Sequence, residues 1–259
     1  MKNIHMKNVV LSLGLVLFVV GVCPAQSVLY FPQFVDGVQG NVFWATAIVV
    51  TNPAAVGTPA ATGSITLTQD NGTPLNVQFF DETHAPTGNT FQLAGGQTKF
   101  FDSPVLNGGV GLGQLFSVGF ATVTSNLPIT AGLVFYEGGV NGGVIGEAGV
   151  LSATPLTRQA AVVVKDNNTS VGVAVANPGT GTANLTFELL DKSGADLAPQ
   201  VTRTLAANNH TAFFVQDLFP SVTSKIFGTM RITSDVPIVS TALLFSLGSF
   251  ATLPSIPVQ

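Results

Sequence analysis

The sequence predicts an all-β protein built from two tandem antiparallel β-sandwich modules, and three observations predict it. Short segments alternate apolar and polar residues, four sequence blocks recur in the same order, and no stretch after residue 25 sustains a 3.6-residue apolar period.

The alternation is plain in several segments. Ile65 and Leu67 lie on one side of Ser64–Thr68, with Ser64, Thr66 and Thr68 on the other. Leu185, Phe187 and Leu189 alternate with Thr186 and Glu188, and Met230 and Ile232 with Thr229, Arg231 and Thr233. Each segment is short, rich in Val, Ile, Thr and Phe, and bounded by Gly, Pro, Asn or Asp, which favour turns. Roughly seven strand candidates fall in each half, the number expected of an antiparallel sandwich. Ile129–Phe135 and Ile238–Phe245 are apolar on both faces. They suit central strands, or strands whose second face is covered by the other module or a partner.

The repeat aligns Ala47–Pro53 with Gly172–Pro178, each an apolar strand halted by Asn-Pro. Ser64–Thr68 follows against Asn184–Glu188. Leu93-Ala94 and Thr98–Phe101 then match Leu205-Ala206 and Thr211–Phe214, with one residue inserted in the second copy. Thr124–Ile129 against Thr233–Ile238 closes the series. The order predicts module 1 at residues 26–155 and module 2 at 156–259, packed together because the linker near Pro155 is short. Module 1 also carries Asp81–Asn89 and the glycine-rich Gly138–Gly149, both expected to be long hairpin loops.

Residues 1–25 are read as a signal peptide. Lys2 and Lys7 precede an uncharged run of 14 residues, Val9–Val22, and Ala25 offers a small residue for cleavage before Gln26. That run is too short to span a bilayer, and no membrane span is expected in the mature chain. Cys23 raises the alternative of lipidation, although bulky Val22 before it fits that poorly. The remaining 234 residues contain no cysteine, which excludes structural disulfides and thiolate metal sites. They carry seven basic and thirteen acidic residues, a net of −6 with neither sign clustered, so no nucleic-acid partner is expected. Charged residues are only 8% of the chain against roughly 25% in average soluble domains, a surface that lowers the barrier to self-association.

Catalysis requires positioned acids, bases or nucleophiles, and the supply is thin. The mature chain holds two histidines, His84 in Asp81–His84 and His210 after Asn208-Asn209. One histidine beside two carboxylates lacks the ligand spacing of a zinc site, and no Gly-x-Ser-x-Gly elbow is present. Gly138–Gly149 lacks the lysine of a phosphate loop. No enzyme and no cofactor are therefore predicted. Calcium is the ion best served by the Asp-containing turns at Asp36, Asp70, Asp166 and Asp191, which are equally explained as turns without an ion.

Five aromatic residues are candidates for contact with a ligand or an interface: Trp44, Phe100, Phe101, Phe213 and Phe214. Trp44 has no large counterpart in the second copy, where Thr169 or Ser170 aligns, and it suits packing between modules or sugar stacking. In Phe100-Phe101 and Phe213-Phe214, neighbouring side chains on a strand must point to opposite faces, which puts one ring of each pair outside.

The Asn-Pro strand ends and the Thr-Ser-Asp-x-Pro-Ile stretch at Thr233–Ile238 resemble the tandem immunoglobulin-like repeats of bacterial secreted and cell-surface proteins. That resemblance implies an adhesive, structural or accessory role and carries over no catalytic residue. The expected function is thus a non-enzymatic structural or adhesion protein, periplasmic, cell-surface or extracellular. Its partner would be protein, by self-association or at the cell surface, or glycan. A carbohydrate-binding module is the alternative, with an outer-membrane barrel or an enzyme more remote.

Overall fold

A computed structural model describes residues 26–107 and 116–258. The leader and the lipidation alternative at Cys23 fall on residues 1–25, outside the described residues. In chain order the first half contains β1 (Ser27–Gln39), β2 (Val42–Thr51), β3 (Ala61–Gln69), β4 (Phe79–Phe80), β5 (Pro86–Thr87), β6 (Thr90–Leu93), β7 (Thr98–Asp102), β8 (Ser117–Ser125), β9 (Thr130–Gly139) and β10 (Val144–Leu151). The second half contains β11 (Leu156–Lys165), β12 (Thr169–Ala176), β13 (Ala183–Asp191), β14 (Val201–Leu205), β15 (His210–Phe214), β16 (Ile226–Ser246), β17 (Ser249–Pro254) and β18 (Ile256–Pro257). Among the described residues helix is confined to a 3-10 turn, Pro104–Asn107, and to α1 (Val215–Leu218). The protein is all-β and its ladders are antiparallel, as the period-2 pattern requires.

Each half consists of two facing layers. In the first, β1-β8-β3-β6 forms sheet 1a and β10-β9-β2-β7-β4-β5 forms sheet 1b, joined where Gly37–Gln39 of β1 turn over to pair with β2. In the second, β18-β11-β16-β13-β14 forms sheet 2a and β17-β16-β12-β15 forms sheet 2b. Strand β16 serves both layers, with Ile226–Ser234 in 2a and Val239–Ser246 in 2b. The alternating apolar residues fill the space between layers. Phe31, Ile65, Phe91 and Val123 of 1a meet Ile48, Val50, Phe101 and Leu133 of 1b, and Phe187, Leu189 and Met230 of 2a meet Val171, Val173 and Ala242 of 2b.

The two halves are wired alike. Strand β1 pairs with β8 as β11 does with β16, β2 with β7 and β9 as β12 with β15 and β16, and β3 with β6 and β8 as β13 with β14 and β16, so β8 and β9 correspond to the two parts of β16 and β10 to β17; the β1–β2, β4–β7 and β11–β18 pairings have no counterpart. The ladders refine the sequence alignment. Ile48 pairs with Phe101 as Val173 pairs with Phe213, so Phe101 matches Phe213 and no residue is inserted in the second copy. Ile65 pairs with Val123 as Phe187 pairs with Ile232, which shifts the β3 block by two residues and keeps every face unchanged. Gly138–Gly149 is not a long loop: β9 runs to Gly139 and β10 begins at Val144.

Side-chain amides and hydroxyls explain the recurring motifs. Asn52, buried, donates from Nδ2 to the Leu93 carbonyl at 2.9 Å and accepts from the Ala54 N–H at 3.1 Å. Asn177 does the same with Leu205 at 3.0 Å and Gly179 at 3.0 Å, and its Nδ2 also reaches Gly181 and Ala206. The Asn-Pro signal is therefore a clamp from the end of β2 or β12 to β6 or β14 in the opposite layer. It satisfies backbone groups that the proline leaves without a ladder. At the other motif, Asn126 Oδ1 accepts from the Thr62 N–H at 2.7 Å and Asp235 Oδ1 from the Asn184 N–H at 2.8 Å. These two residues hold the corner where the chain leaves one layer for the other.

Gly119 and Gly228 occupy matching places on β8 and β16. A Cβ at either would overlap the backbone carbonyl of its ladder neighbour, Thr68 or Leu190. We expect Gly119→Ala and Gly228→Ala each to lower stability by about 1–3 kcal/mol in urea titrations. Gly181→Ala, with open space around it, should be close to neutral.

Asp235 is exposed, and the hydrogen bonds from Asn184 hold its carboxyl below the ordinary 3.8. A carboxylate whose folded pKa is depressed stabilises above its unfolded pKa and loses that contribution as pH falls through the folded one. Asn126 fills the same corner in the first half without ionising. Relative to Asp235→Asn, the native chain should lose thermal stability on acidification from pH 6 to pH 2, and the two curves should run parallel above about pH 5.

Candidate functional site

The outer face of sheet 2b is made of small residues because β12 alternates Gly172, Ala174 and Ala176 with inward Val171, Val173 and Val175. The first half lies on this face. Phe120 of β8 packs on Ala176 and Val239, with Tyr30 and Ala153 beside it. Ala174 and Thr241, next on the same outer face, are also buried and line the cleft beside this contact. This accounts for the doubly apolar Ile238–Phe245: its inner residues enter the core of the second half, and its outer ones meet the first.

The two ends of the junction differ. At one, the β3 turn reaches over β15: His210, 2% exposed, donates from Nδ1 to Asp70 Oδ1 at 2.7 Å, and its N–H donates to the Asp70 carbonyl at 3.3 Å. At the other, Trp44 leaves the open end of the first sandwich and meets Phe250 at 5.6 Å and Phe245 at 6.2 Å between ring centres. Leu243 and Phe250 thereby join the core of the first half. The Thr252 hydroxyl also bonds the Gly149 carbonyl across the junction.

Between these contacts the halves do not close. A cleft of about 400 Å³ remains, lined among others by Trp44, Phe116, Val118, Ala174, Phe214 and Phe245. Gln33 also lines it and has a buried Oε1 without a hydrogen-bond partner among the described residues. Its charged lining residues are Asp70, which is held by His210, and Asp217. The site can receive apolar groups by shape and dispersion; it does not gather an acid, a base and a nucleophile at one point.

Of the five aromatic candidates, the structure brings Trp44, Phe213 and Phe214 to this cleft and separates the other two. Trp44 packs between halves, with its ring engaged by two phenylalanines. Phe214, 38% exposed, rests on Phe245 at 5.4 Å. Phe213 stands edge-on to Phe187 at 5.4 Å, half in the core. Phe101 is a correction: it is fully buried between Phe79 and Phe91 and touches neither a ligand surface nor the junction. Phe100 points outward from sheet 1b, on the far side from the cleft, in a row across four strands with Val49, Gly132 and Leu151. Sequence reading gave His210 no role, because its partner Asp70 lies 140 positions away.

The turns at Asp81 and Asp191 each use one carboxylate oxygen internally. Asp81 Oδ1 accepts from the Thr83 N–H, the Thr83 hydroxyl and the Ala85 N–H, and Asp191 Oδ1 accepts the same set from Ser193 and Ala195. Both carboxyls sit below the ordinary range for that reason. Burial pushes Asp102 and Glu137 in the opposite direction. Among the described residues no group of three His, Cys, Asp or Glu side chains could hold a metal, and no helix is long and apolar enough to cross a membrane.

No protein-family model matches the sequence, and no curated protein matches it. Comparison with solved structures returns the pilus backbone RrgB from Streptococcus pneumoniae at 13% identity, covering 88% of this chain and 80% of that one, with a TM-score of 0.22. A superposition that poor carries no argument about this protein.

The junction makes its own prediction. Trp44→Ala removes a half-buried ring from the first core and its contacts with Phe245 and Phe250, and we expect a loss of roughly 2–4 kcal/mol in denaturant titrations, less than for a fully buried aromatic because the ring is half-buried.

Proposed function

We propose that this is an exported, non-enzymatic structural or adhesion protein that acts through its sheet surfaces. We further propose that its halves, residues 26–155 and 156–259, are copies of one immunoglobulin-like sandwich module. The matched ladders, the paired Asn52 and Asn177 clamps and the paired corners at Asn126 and Asp235 support the duplication. Export rests on the basic start and the apolar run Val9–Val22.

One observation carries the functional reading. What the fold leaves available at its surface is apolar area rather than reactive groups: the aromatic cleft, the Phe100–Leu151 row on sheet 1b, and Val162 with Phe227 on sheet 2a. Contiguous apolar surface of this kind marks sites of protein contact. The carbohydrate reading loses its platform, because both neighbours of Trp44 are already rings of this chain.

A photo-crosslinking residue placed at Phe214 in the native host tests the proposal. Adducts to envelope or surface proteins are expected. Binding to a glycan array that is lost in Phe214→Ala would overturn it.

A further inference from the structure

The internal junction joins two unlike surfaces, and the repeat supplies a second, uncovered example of each. On the first half, the docking face is the outer side of sheet 1a with Tyr30, Gln33, Val118 and Phe120. Ladder pairing places Ala160, Val162, Phe227 and Thr229 at the matching positions on sheet 2a. On the second half, the receiving face is the outer side of sheet 2b, where Ala212, Ala174, Thr241 and Pro254 form one row. The matching row on sheet 1b is Phe100, Val49, Gly132 and Leu151. Inside the chain the first docking face covers the second receiving face. Most of the other pair faces solvent: Phe227 is 51% exposed, Val162 56% and Leu151 78%, while Ala160 is buried.

We propose that the sheet 2a face of one molecule docks on the sheet 1b face of a second copy, repeating the internal junction head to tail. The inference rests on the proposed role as a surface-contact protein and names the partner as this same chain. The two faces belong to one molecule and differ from each other, so the contact does not close on itself and generates an open chain of molecules.

Size and charge at the matching positions fit this contact. The internal junction packs large on small at Phe120 and Ala176, and leaves its cleft between Gln33, Val118, Ala174 and Ala212. At the uncovered faces the bulk is moved to the cleft positions: Val118 is replaced by Phe227, Ala174 by Val49 and Ala212 by Phe100. Thr229 and Thr51 stand where Phe120 and Ala176 were. Larger side chains thus occupy three of the four positions where the internal contact is hollow, with Val162 smaller than Gln33 at the fourth, and a pair of threonines stands where a large residue meets a small one at its tight point. At the rim, Phe116 and Phe214 correspond to Lys225 and Asp102, an opposite-charge pair across the proposed contact.

The test is sedimentation velocity on the full-length gene product, expressed with its own leader and purified as the processed protein, over a concentration series. The native chain should form dimers and longer species as concentration rises. Phe227→Arg and Leu151→Arg each disable one face at an exposed position, and each alone should remain monomeric with an unchanged thermal midpoint. Mixed, the two variants should form dimers and nothing larger, because one good face of each kind remains. A native chain that stays monomeric throughout overturns the inference, as does a variant that still dimerises alone, which signals a symmetric contact. Either result leaves the partner-contact reading to its own crosslinking test.

Discussion

Covering the small-residue face of sheet 2b with Phe120 and Tyr30 is the constraint on which the architecture depends. Ala176 offers almost no side-chain relief, so Phe120 can approach closely and be buried with Val239. That close approach fixes the halves against each other, and it brings Trp44 to Phe245 and Phe250 and the Asp70 turn to His210. The cleft is its geometric remainder: twisted sheets held at two ends do not stay in contact between them.

Within each half a second constraint holds the layers in register. An asparagine side chain at the end of β2 or β12 replaces the ladder that proline interrupts, and its bonds run to the opposite sheet. Buried amides are costly unless satisfied, which is why Asn52 and Asn177 have closely matching sets of partners. The corner residues Asn126 and Asp235 solve the adjacent problem, terminating β3 or β13 where the chain changes layer. With both ends fixed, alternate residues of every strand between them are committed to the core.

Function follows from where apolar residues are left over. A core needs one face of each sheet, and with so few charged residues the other is coated by uncharged polar residues and, in places, by apolar ones. Some outer faces are therefore buried by the neighbouring half, and others remain as Phe100, Leu151, Val162 and Phe227. Asp191, in one of the turns that looked able to hold calcium, instead accepts hydrogen bonds within its own turn, and Asp81 does the same.

The order of residues alone makes the all-β class and the inward residues of most strands legible, because a period of two is a local property that survives whatever the strand later pairs with. It also showed the order of the repeated blocks, although not their register: Ser64–Thr68 slid by two residues without changing a face, a shift that alternation cannot detect. Strand pairing and the packing of one half on the other settle which ring of Phe100-Phe101 goes inside, that His210 meets Asp70, and which outer faces are covered. Those outcomes depend on ladder partners and sheet contacts up to 140 positions apart, and no local pattern encodes a distance of that kind.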